Sequence, residues 1–142
     1  MADYSQPDLT LLGEDHIRAY RETGGETGYL WNGVPTLLLT VAGRRTGRQL
    51  TSPLIFGRDG DDYLVVASMG GAPRHPSWYL NLQANPRAKI QVKADELAVI
   101  AHTASVEEKP RLWKIVTGVW PNYDVYQSRT DRIIPLVVLS PA

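Results

Sequence analysis

Two apolar runs, residues 37–42 and 50–56, lie on either side of a short segment that contains two glycines. Runs of β-type residues separated in this way are typical of a β-hairpin. The segment 43–48 has the sequence GRRTGR, with three arginines and no carboxylate. Because glycine lets backbone N–H groups turn toward a ligand and arginine supplies forked donors, this tip suits a multiply charged anion. A solvated turn that keeps a sheet edge soluble is the alternative interpretation.

The cations are concentrated in the middle of the chain, although the net charge of the 142 residues is zero. Residues 27–94 contain eight bases and three acids, a net of +5, and all three acids lie in the turn 59–62. A cationic surface within a neutral protein favours an anionic ligand. It does not by itself favour nucleic acid, because domains that follow phosphates along a strand are usually basic overall.

The amino-acid composition also excludes several kinds of functional site. The absence of cysteine excludes a disulfide framework, thiol catalysis and cysteine-ligated metal. The three histidines, His16, His75 and His102, lie far apart in the sequence, so no metal site is predicted. No apolar stretch approaches the length of a membrane span, and the N-terminus lacks a signal pattern. We therefore expect a cytoplasmic protein, with peripheral membrane contact left open.

The spacing of apolar residues predicts a single domain over residues 15–142, preceded by a partly mobile N-terminal arm at 1–14. Helices are predicted from 8 or 10 to about 23, at 77–84 with Ser77 as the cap or Pro76 in the first turn, and from 105 to about 119. Strands are predicted at 36–42, 50–56, 63–68, 88–93, 97–105 and 133–139. Because strands outnumber helices without regular βαβ alternation, we expect a mainly β fold with flanking helices, a six-stranded antiparallel barrel.

No catalytic constellation occurs in the sequence, so any chemistry would come from a bound cofactor. Four features predict the cofactor site. These are the arginine tip, the small polar residues 51–52 within an apolar strand, the glycine-containing strand end at 67–71, and the helix start at 76–78. The bare backbone at 67–71 would admit a planar ring. His75, a lone loop histidine, is predicted to be structural rather than a base.

Three runs carry a family resemblance: LLLTVAGRRTGRQLTSPLIF, YLVVASMGGAPRHPSWYLNLQANP and YQSRTDRIIPLVVL. Together they resemble the deazaflavin (F420)-dependent nitroreductase family, flavin/deazaflavin oxidoreductases of the split β-barrel, FMN-binding-like type. The resemblance covers about residues 15–140. It implies binding of reduced coenzyme F420 and hydride transfer to a small electrophile such as a quinone, a nitroimidazole or an enone.

Motif positions of the family assign roles to individual residues. The resemblance implies that the phosphate and acidic tail of F420 contact Gly43, Arg44, Arg45 and Thr46, with Arg48 completing the cationic tip. It implies that the deazaflavin ring is bound by Leu50, Thr51, Ser52, Pro53, Leu54, Val66, Ala67, Ser68, Met69, Ser77, Trp78, Tyr79, Leu80, Asn81 and Tyr123. The acceptor side would be formed by Ser68, Trp120, Tyr123 and Tyr126, with Ser68 and Tyr123 as candidate proton or hydrogen-bond donors.

The sequence departs from the family pattern at three positions. Met69 stands where the nitroreductase has a lysine, and Arg74 is the candidate replacement for that tail contact. Ile55 and Trp120 stand where it has tyrosines, both on the acceptor side. The departures weaken the expectation of nitro reduction more than that of cofactor binding.

Two other functions compete with the reductase hypothesis. The first is a non-catalytic protein that carries F420 or a fatty acid. The second is an FMN-dependent oxidoreductase of the same barrel type. FMN is the less favoured cofactor, because one phosphate needs one or two cations whereas an oligoglutamate tail uses the whole arginine set. The sequence leaves the oligomeric state open between monomer and homodimer.

Overall fold

The computed structural model describes residue 4 and residues 6–142, so four residues of the predicted arm lie outside the described part. The helices are α1 (Gly13–Thr23), α2 (Ser77–Ala84), α3 (Lys109–Val119) and α4 (Asn122–Ser128). The strands are β1 (Leu30–Trp31), β2 (Val34–Ala42), β3 (Gln49–Ile55), β4 (Gly57–Asp59), β5 (Asp62–Val66), β6 (Arg87–Val92), β7 (Asp95–Thr103) and β8 (Leu136–Pro141).

Antiparallel pairing connects the strands in the order β1-β2-β6-β7-β8-β5-β4, and β3 also pairs with β2. Strand β3 runs into β4 across the single residue Phe56, so chain continuity closes the circuit between β2 and β5. With β3 and β4 counted as one bent strand and the two-residue β1 set aside, the described barrel has six strands. The predicted six-stranded antiparallel barrel is therefore confirmed.

The β2–β3 hairpin carries the arginine tip as predicted. The register runs from Thr36 opposite Ile55 to Ala42 opposite Gln49. At the tip, Gly43 N donates to the Arg48 carbonyl at 2.7 Å, and the Gly47 N–H donates to the Gly43 carbonyl at 2.8 Å. Gly47 has φ +74, a left-handed conformation that glycine adopts without steric cost.

The two larger of the three hydrophobic clusters among the described residues lie on the two faces of the barrel wall, because successive strand residues point to opposite sides. The interior cluster includes Leu39, Val65 and Val137. Their neighbours Leu64 and Leu136 belong to a second cluster, in which the barrel packs against α3 and α4. The second cluster also holds Trp120 and Tyr123, so it forms one side of the region where the acceptor residues were predicted.

Several element boundaries differ from the predictions. Helix α1 begins at Gly13 rather than at 8 or 10, and no side chain caps it. Ser77 does not cap α2, since Pro76 occupies the cap position and its carbonyl accepts from the N–H groups of Tyr79 and Leu80. Helix α3 begins at Lys109, after a reciprocal Ser105–Glu108 hydrogen-bonded pair.

Helix α4 and the short strands β1 and β4 are absent from the predictions. Helix α4 has seven residues, too few for a periodic apolar pattern to be recognised. Its Tyr123 is buried against Trp113, with ring centroids 6.3 Å apart. Packing of this aromatic residue, rather than helix propensity, accounts for the helix.

Tyr20 fixes α1 to the barrel. The side chain is fully buried, and its hydroxyl lies 3.0 Å from the Thr36 carbonyl and 3.2 Å from the Gln91 carbonyl. The same oxygen accepts from Lys93 N at 2.8 Å. Burial raises the pKa of the Tyr20 phenol, so the group remains a neutral donor. One hydroxyl thus links α1 to β2 and to the end of β6.

We expect Tyr20→Phe to lower the free energy of unfolding by about 2–3 kcal/mol, because backbone groups in the interior lose their partner. Denaturant unfolding monitored by circular dichroism measures the change. Tyr29→Phe is the matched control, since the Tyr29 hydroxyl makes no hydrogen bond within the described residues. Equal losses in the two variants would contradict the role assigned to Tyr20.

Candidate active site

A cavity of about 410 Å³ opens between the barrel and the helices α1, α2 and α4. It brings together nine of the residues predicted to bind the cofactor or the acceptor. These are Pro53, Leu54, Val66, Ser68, Met69, Trp78, Trp120, Tyr123 and Tyr126. Ring-binding and acceptor-side predictions therefore meet in one cavity, although they come from β3, the end of β5, α2 and α4.

The other predicted residues lie away from the wall of this cavity. They are Gly43, Arg44, Arg45, Thr46, Arg48, Leu50, Thr51, Ser52, Ala67, Arg74, Ser77, Tyr79, Leu80 and Asn81. Ala67 and Tyr79 belong to the interior cluster. The Tyr79 hydroxyl lies 2.9 Å from Thr103 Oγ1, beside a second cavity of about 190 Å³. Thr51 Oγ1 accepts from Arg21 Nη2 at 2.8 Å, on the side of α1.

Asn81 attaches the arginine tip to α2. Its buried Oδ1 accepts from Arg44 N at 3.1 Å and from Arg44 Nη1 at 2.8 Å. Trp78 lies one helical turn earlier on α2 and forms part of the cavity wall. The tip and the cavity are thus fixed to the same short helix.

Three of the predicted cofactor-binding arginines are free to bind an anion. Within the described part of the chain, the guanidinium groups of Arg45, Arg48 and Arg74 make no hydrogen bond or ion pair. A shallow groove beside Gly47 adds Arg87 and Lys89 from β6. Sequence reasoning did not assign these two residues to the site, because only the pairing of β6 with β2 brings them to the tip.

The loop that follows β5 carries Ser68, and the three residues after it have a left-handed backbone conformation. Met69, Gly70 and Gly71 have φ values of +48, +66 and +87. A Cβ on Gly71 would lie 2.6 Å from the Tyr126 carbonyl oxygen, so only glycine fits against α4 there. Met69 is a non-glycine residue in this region, a conformation often associated with functional loops.

Arg132 holds this loop in place and was missed by the sequence analysis. Its guanidinium donates to the carbonyls of Ala67 at 3.2 Å, Ser68 at 2.8 Å and Ala72 at 2.8 Å. Its Nη1 also lies 3.0 Å from His75 Nδ1. No local motif marks the residue, because its partners lie 57 to 65 positions earlier in the chain.

His75 is a structural partner of Arg132 and of the Tyr79 ring, whose centroid is 5.0 Å away. Burial, and to a lesser degree the charge of Arg132, lowers the pKa of the His75 imidazole. The neutral ring accepts the Arg132 hydrogen bond through Nδ1. These contacts agree with the structural role expected for this histidine.

The lowered pKa of His75 predicts a pH-dependent stability. Below about pH 6.5, the pKa of a histidine in the unfolded chain, the unfolded state binds a proton that folded His75 does not yet bind. The stability that neutral His75 contributes is therefore fully present above this pH and is lost as the pH falls toward the lower pKa of the folded state. We expect His75→Gln to reduce the fall in Tm between about pH 7 and about pH 5. Thermal unfolding at both values tests this, with His102→Gln as the control. A pH slope unchanged from that of the unmodified protein would contradict it.

The polar groups of the cavity are suited to hydrogen bonding. Burial raises the pKa of the Tyr123 phenol, which keeps it protonated. The hydroxyls of Ser68 and Tyr123 make no hydrogen bond within the described residues. Trp120 Nε1 donates to Tyr126 Oη at 3.4 Å. Both unpartnered hydroxyls are therefore available to a ligand in the cavity.

Among residue 4 and residues 6–142, no group of three or more histidine, aspartate or glutamate side chains is placed to hold a metal ion. No helix in this part of the chain is long and apolar enough to cross a membrane.

The barrel, its lateral cavity and its cationic tip define the split-barrel, FMN-binding-like class. The family model for F420H(2)-dependent quinone reductase matches residues 13–141. An F420H(2)-dependent quinone reductase from Mycobacterium tuberculosis strain H37Rv is 45% identical over 129 residues, 88% of this chain and 87% of the relative. The chain therefore belongs to the F420H(2)-dependent quinone reductase family.

Solved structures agree with this membership. The F420-H2 dependent reductase FDR-A is 36% identical with a TM-score of 0.70, and the match covers 75% of this chain and 94% of that chain. A protein described as a domain-swapped dimer is also 36% identical, with a TM-score of 0.71 over 75% of this chain and 80% of its own. The comparisons confirm the family resemblance, the fold class and the assignment as an F420H2-dependent reductase.

Proposed function

We propose that this protein reduces a quinone with F420H2 in the 410 Å³ cavity, and that the arginine tip holds the cofactor tail. The observation that carries the proposal is the shared cavity wall, where residues from β3, α2 and α4 meet beside unpaired hydroxyls. The attachment of Arg44 to Asn81 supports a continuous site, since α2 contributes to both the tip and the cavity.

The donor set fits the cofactor. The F420 tail carries a phosphate and several carboxylates, and the unpaired guanidinium groups of Arg45, Arg48 and Arg74 supply forked donors for them. The N–H groups of Ser77 and Trp78 begin α2 without an intrahelical partner, and they lie beside the cavity wall at Pro76 and Trp78. When bound, the reduced deazaflavin supplies a hydride from a ring carbon.

The residues of the chain bind and orient the reactants. Pro53, Leu54, Val66 and Trp78 provide apolar surface that excludes water from a planar ring. Hydride transfer requires donor and acceptor carbons about 3–3.5 Å apart, which demands such rigid walls. Ser68 and Tyr123 are placed to hydrogen-bond the oxygen on which charge develops. Trp120 and Tyr126 flank the acceptor.

The rim of the cavity supports an apolar acceptor. Leu12 and Met69 both line the cavity and are 48% and 49% exposed, so they lie at its mouth. This rim suits a quinone better than a charged substrate. It also supports a cytoplasmic protein that contacts the membrane peripherally to collect lipid-soluble quinones. The relative described as a domain-swapped dimer supports a homodimer. We also propose an N-terminal arm at 1–14 and a single domain at 15–142.

Titration with oxidised F420 and with FMN, followed by fluorescence at about 50 mM and about 500 mM salt, tests the cofactor assignment. We expect tighter binding of F420 than of FMN, with F420 affinity falling as salt rises. Menadione is then added with F420H2, and oxidation of the cofactor is followed by absorbance. Tight F420 binding without turnover across a quinone and enone panel would favour a carrier. Stronger binding of FMN would favour the flavin alternative.

A further inference from the structure

His16 is a buried histidine on the wall of the cavity, and the sequence analysis gave it no role. Its side chain is 3% exposed, and Nε2 lies 2.8 Å from the Gly28 carbonyl oxygen. A carbonyl only accepts, so Nε2 carries a hydrogen. Gly28 has φ +105, and a Cβ there would lie 2.9 Å from His16 Cδ2. The Cδ2–Nε2 edge of the ring is thus pressed against backbone.

The opposite edge of the ring carries Nδ1. This nitrogen makes no hydrogen bond within the described residues. Every side-chain nitrogen or oxygen that is fully buried in that part of the chain has a hydrogen-bond partner. Nδ1 is therefore not fully buried and reaches solvent. Because the ring is almost entirely enclosed and lines the cavity, Nδ1 is accessible from the cavity rather than from the outer surface of the protein.

We propose that His16 is a catalytic acid that protonates the reduced quinone, an inference that rests on the cavity being the site of quinone reduction. A hydride supplied by bound F420H2 would carry both electrons to the quinone and would leave an oxyanion of the reduced quinone. The Nδ1–H bond of the imidazolium breaks, an O–H bond forms on that oxygen, and neutral His16 then regains a proton from water. The Nε2–H bond to Gly28 persists in both states, so the ring need not turn.

The other titratable groups near His16 are phenols, which are weaker acids than an imidazolium. They are Tyr20 on its own helix, at a centroid distance of 6.4 Å, and Tyr123 and Tyr126 of α4, which line the same cavity. Glu14 and Asp15, in the first turn of α1, are exposed. Among the described residues, no carboxylate or ammonium group lines the cavity. Histidine is the side chain that exchanges protons most readily near neutral pH.

Replacement of His16 by glutamine is the direct test, because the amide N–H can still donate to Gly28 while the acid is lost. We expect kcat with menadione to fall about 100-fold or more, whereas F420 affinity changes by less than about threefold. His102→Gln, an exposed histidine outside the cavity, is the matched control.

Two quinones distinguish proton donation from a structural effect. Tetrachlorobenzoquinone gives a weakly basic hydroquinone anion, so it needs a protein acid less than menadione does. The loss in His16→Gln is expected to be at least tenfold smaller for this quinone. Equal losses for both quinones, or an unchanged kcat with menadione, would overturn the proposal.

A measurement without turnover uses the unmodified protein saturated with oxidised F420. Nitrogen NMR of the histidine rings is expected to show the His16 Nδ1 signal shifting when menadione is added, with Nε2 remaining protonated. An unperturbed His16 signal at saturating menadione would overturn the proposal even if the glutamine variant failed to fold. Absence of F420 binding in the unmodified protein would instead refute the proposed function itself, so the two failures are distinguishable.

Discussion

Replacing Arg45 and Arg48 together by alanine is expected to weaken F420 binding about 100-fold, or about 2.8 kcal/mol of binding free energy. Each residue presents a guanidinium that has no partner among the described residues, so its donors are available to the carboxylates of the tail. The fold should not change, because both side chains are exposed. Fluorescence titration with F420 measures the loss, and thermal unfolding checks the fold.

The salt dependence of the same titration separates a tail contact from a general charge effect. Affinity for F420 should fall less steeply with salt in the double variant than in the unmodified protein, because fewer cations contact the tail. FMN, with one phosphate, should lose less affinity. Arg18→Ala removes an exposed arginine of α1 that is not part of the tip and is the matched control. If the control weakens F420 binding as much as the double variant, the tip is not the tail site.

Arg132→Met is expected to lower the free energy of unfolding by about 3 kcal/mol and to weaken F420 binding at least tenfold. The substitution keeps most of the aliphatic stem but leaves the carbonyls of Ala67, Ser68 and Ala72 without their charged donor. These carbonyls belong to the loop that carries Ser68 and Met69 into the cavity wall. Loss of the donor is therefore expected to reduce both the order of the cavity wall and the stability of the fold.

Denaturant unfolding and F420 titration of the same preparation test both parts of this prediction. Arg132→Lys keeps the charge, but lysine lacks the planar fork that donates to three carbonyls. Its free energy of unfolding and its F420 affinity should therefore be intermediate between those of the unmodified protein and the methionine variant. Arg111→Ala, which breaks an exposed pair with Asp59 outside the cavity, is the control. A methionine variant as stable as this control would show that Arg132 does not support the loop.

The parts of the site that are local in sequence were predictable. The glycines at 43 and 47 and the β-type runs around them determine a hairpin, because turn chemistry and strand periodicity act within a few residues. Helix α2 has the predicted bounds, since Pro76 and Asn85 limit it from both sides. The longer motifs built on these elements were sufficient to identify the family.

Residues whose partners are distant in sequence were not predictable. Arg132 acts on carbonyls about 60 positions earlier, and His16 depends on the close approach of the Gly28 backbone. Helix α4 has no periodic signal and forms because Tyr123 is buried. Each of these features depends on contacts that do not exist until the barrel closes.

By itself, the sequence determined the strand pattern, the carboxylate-free arginine tip and the family, because these depend on residue type and short spacing. Only the tertiary structure decided that the tip is anchored through Asn81, that β6 brings Arg87 and Lys89 beside it, and that His16 faces the cavity. The pairing of β6 with β2, the hydrogen bonds between Asn81 and Arg44, and the packing of α1 place these groups. Such long-range contacts leave no pattern in a single sequence.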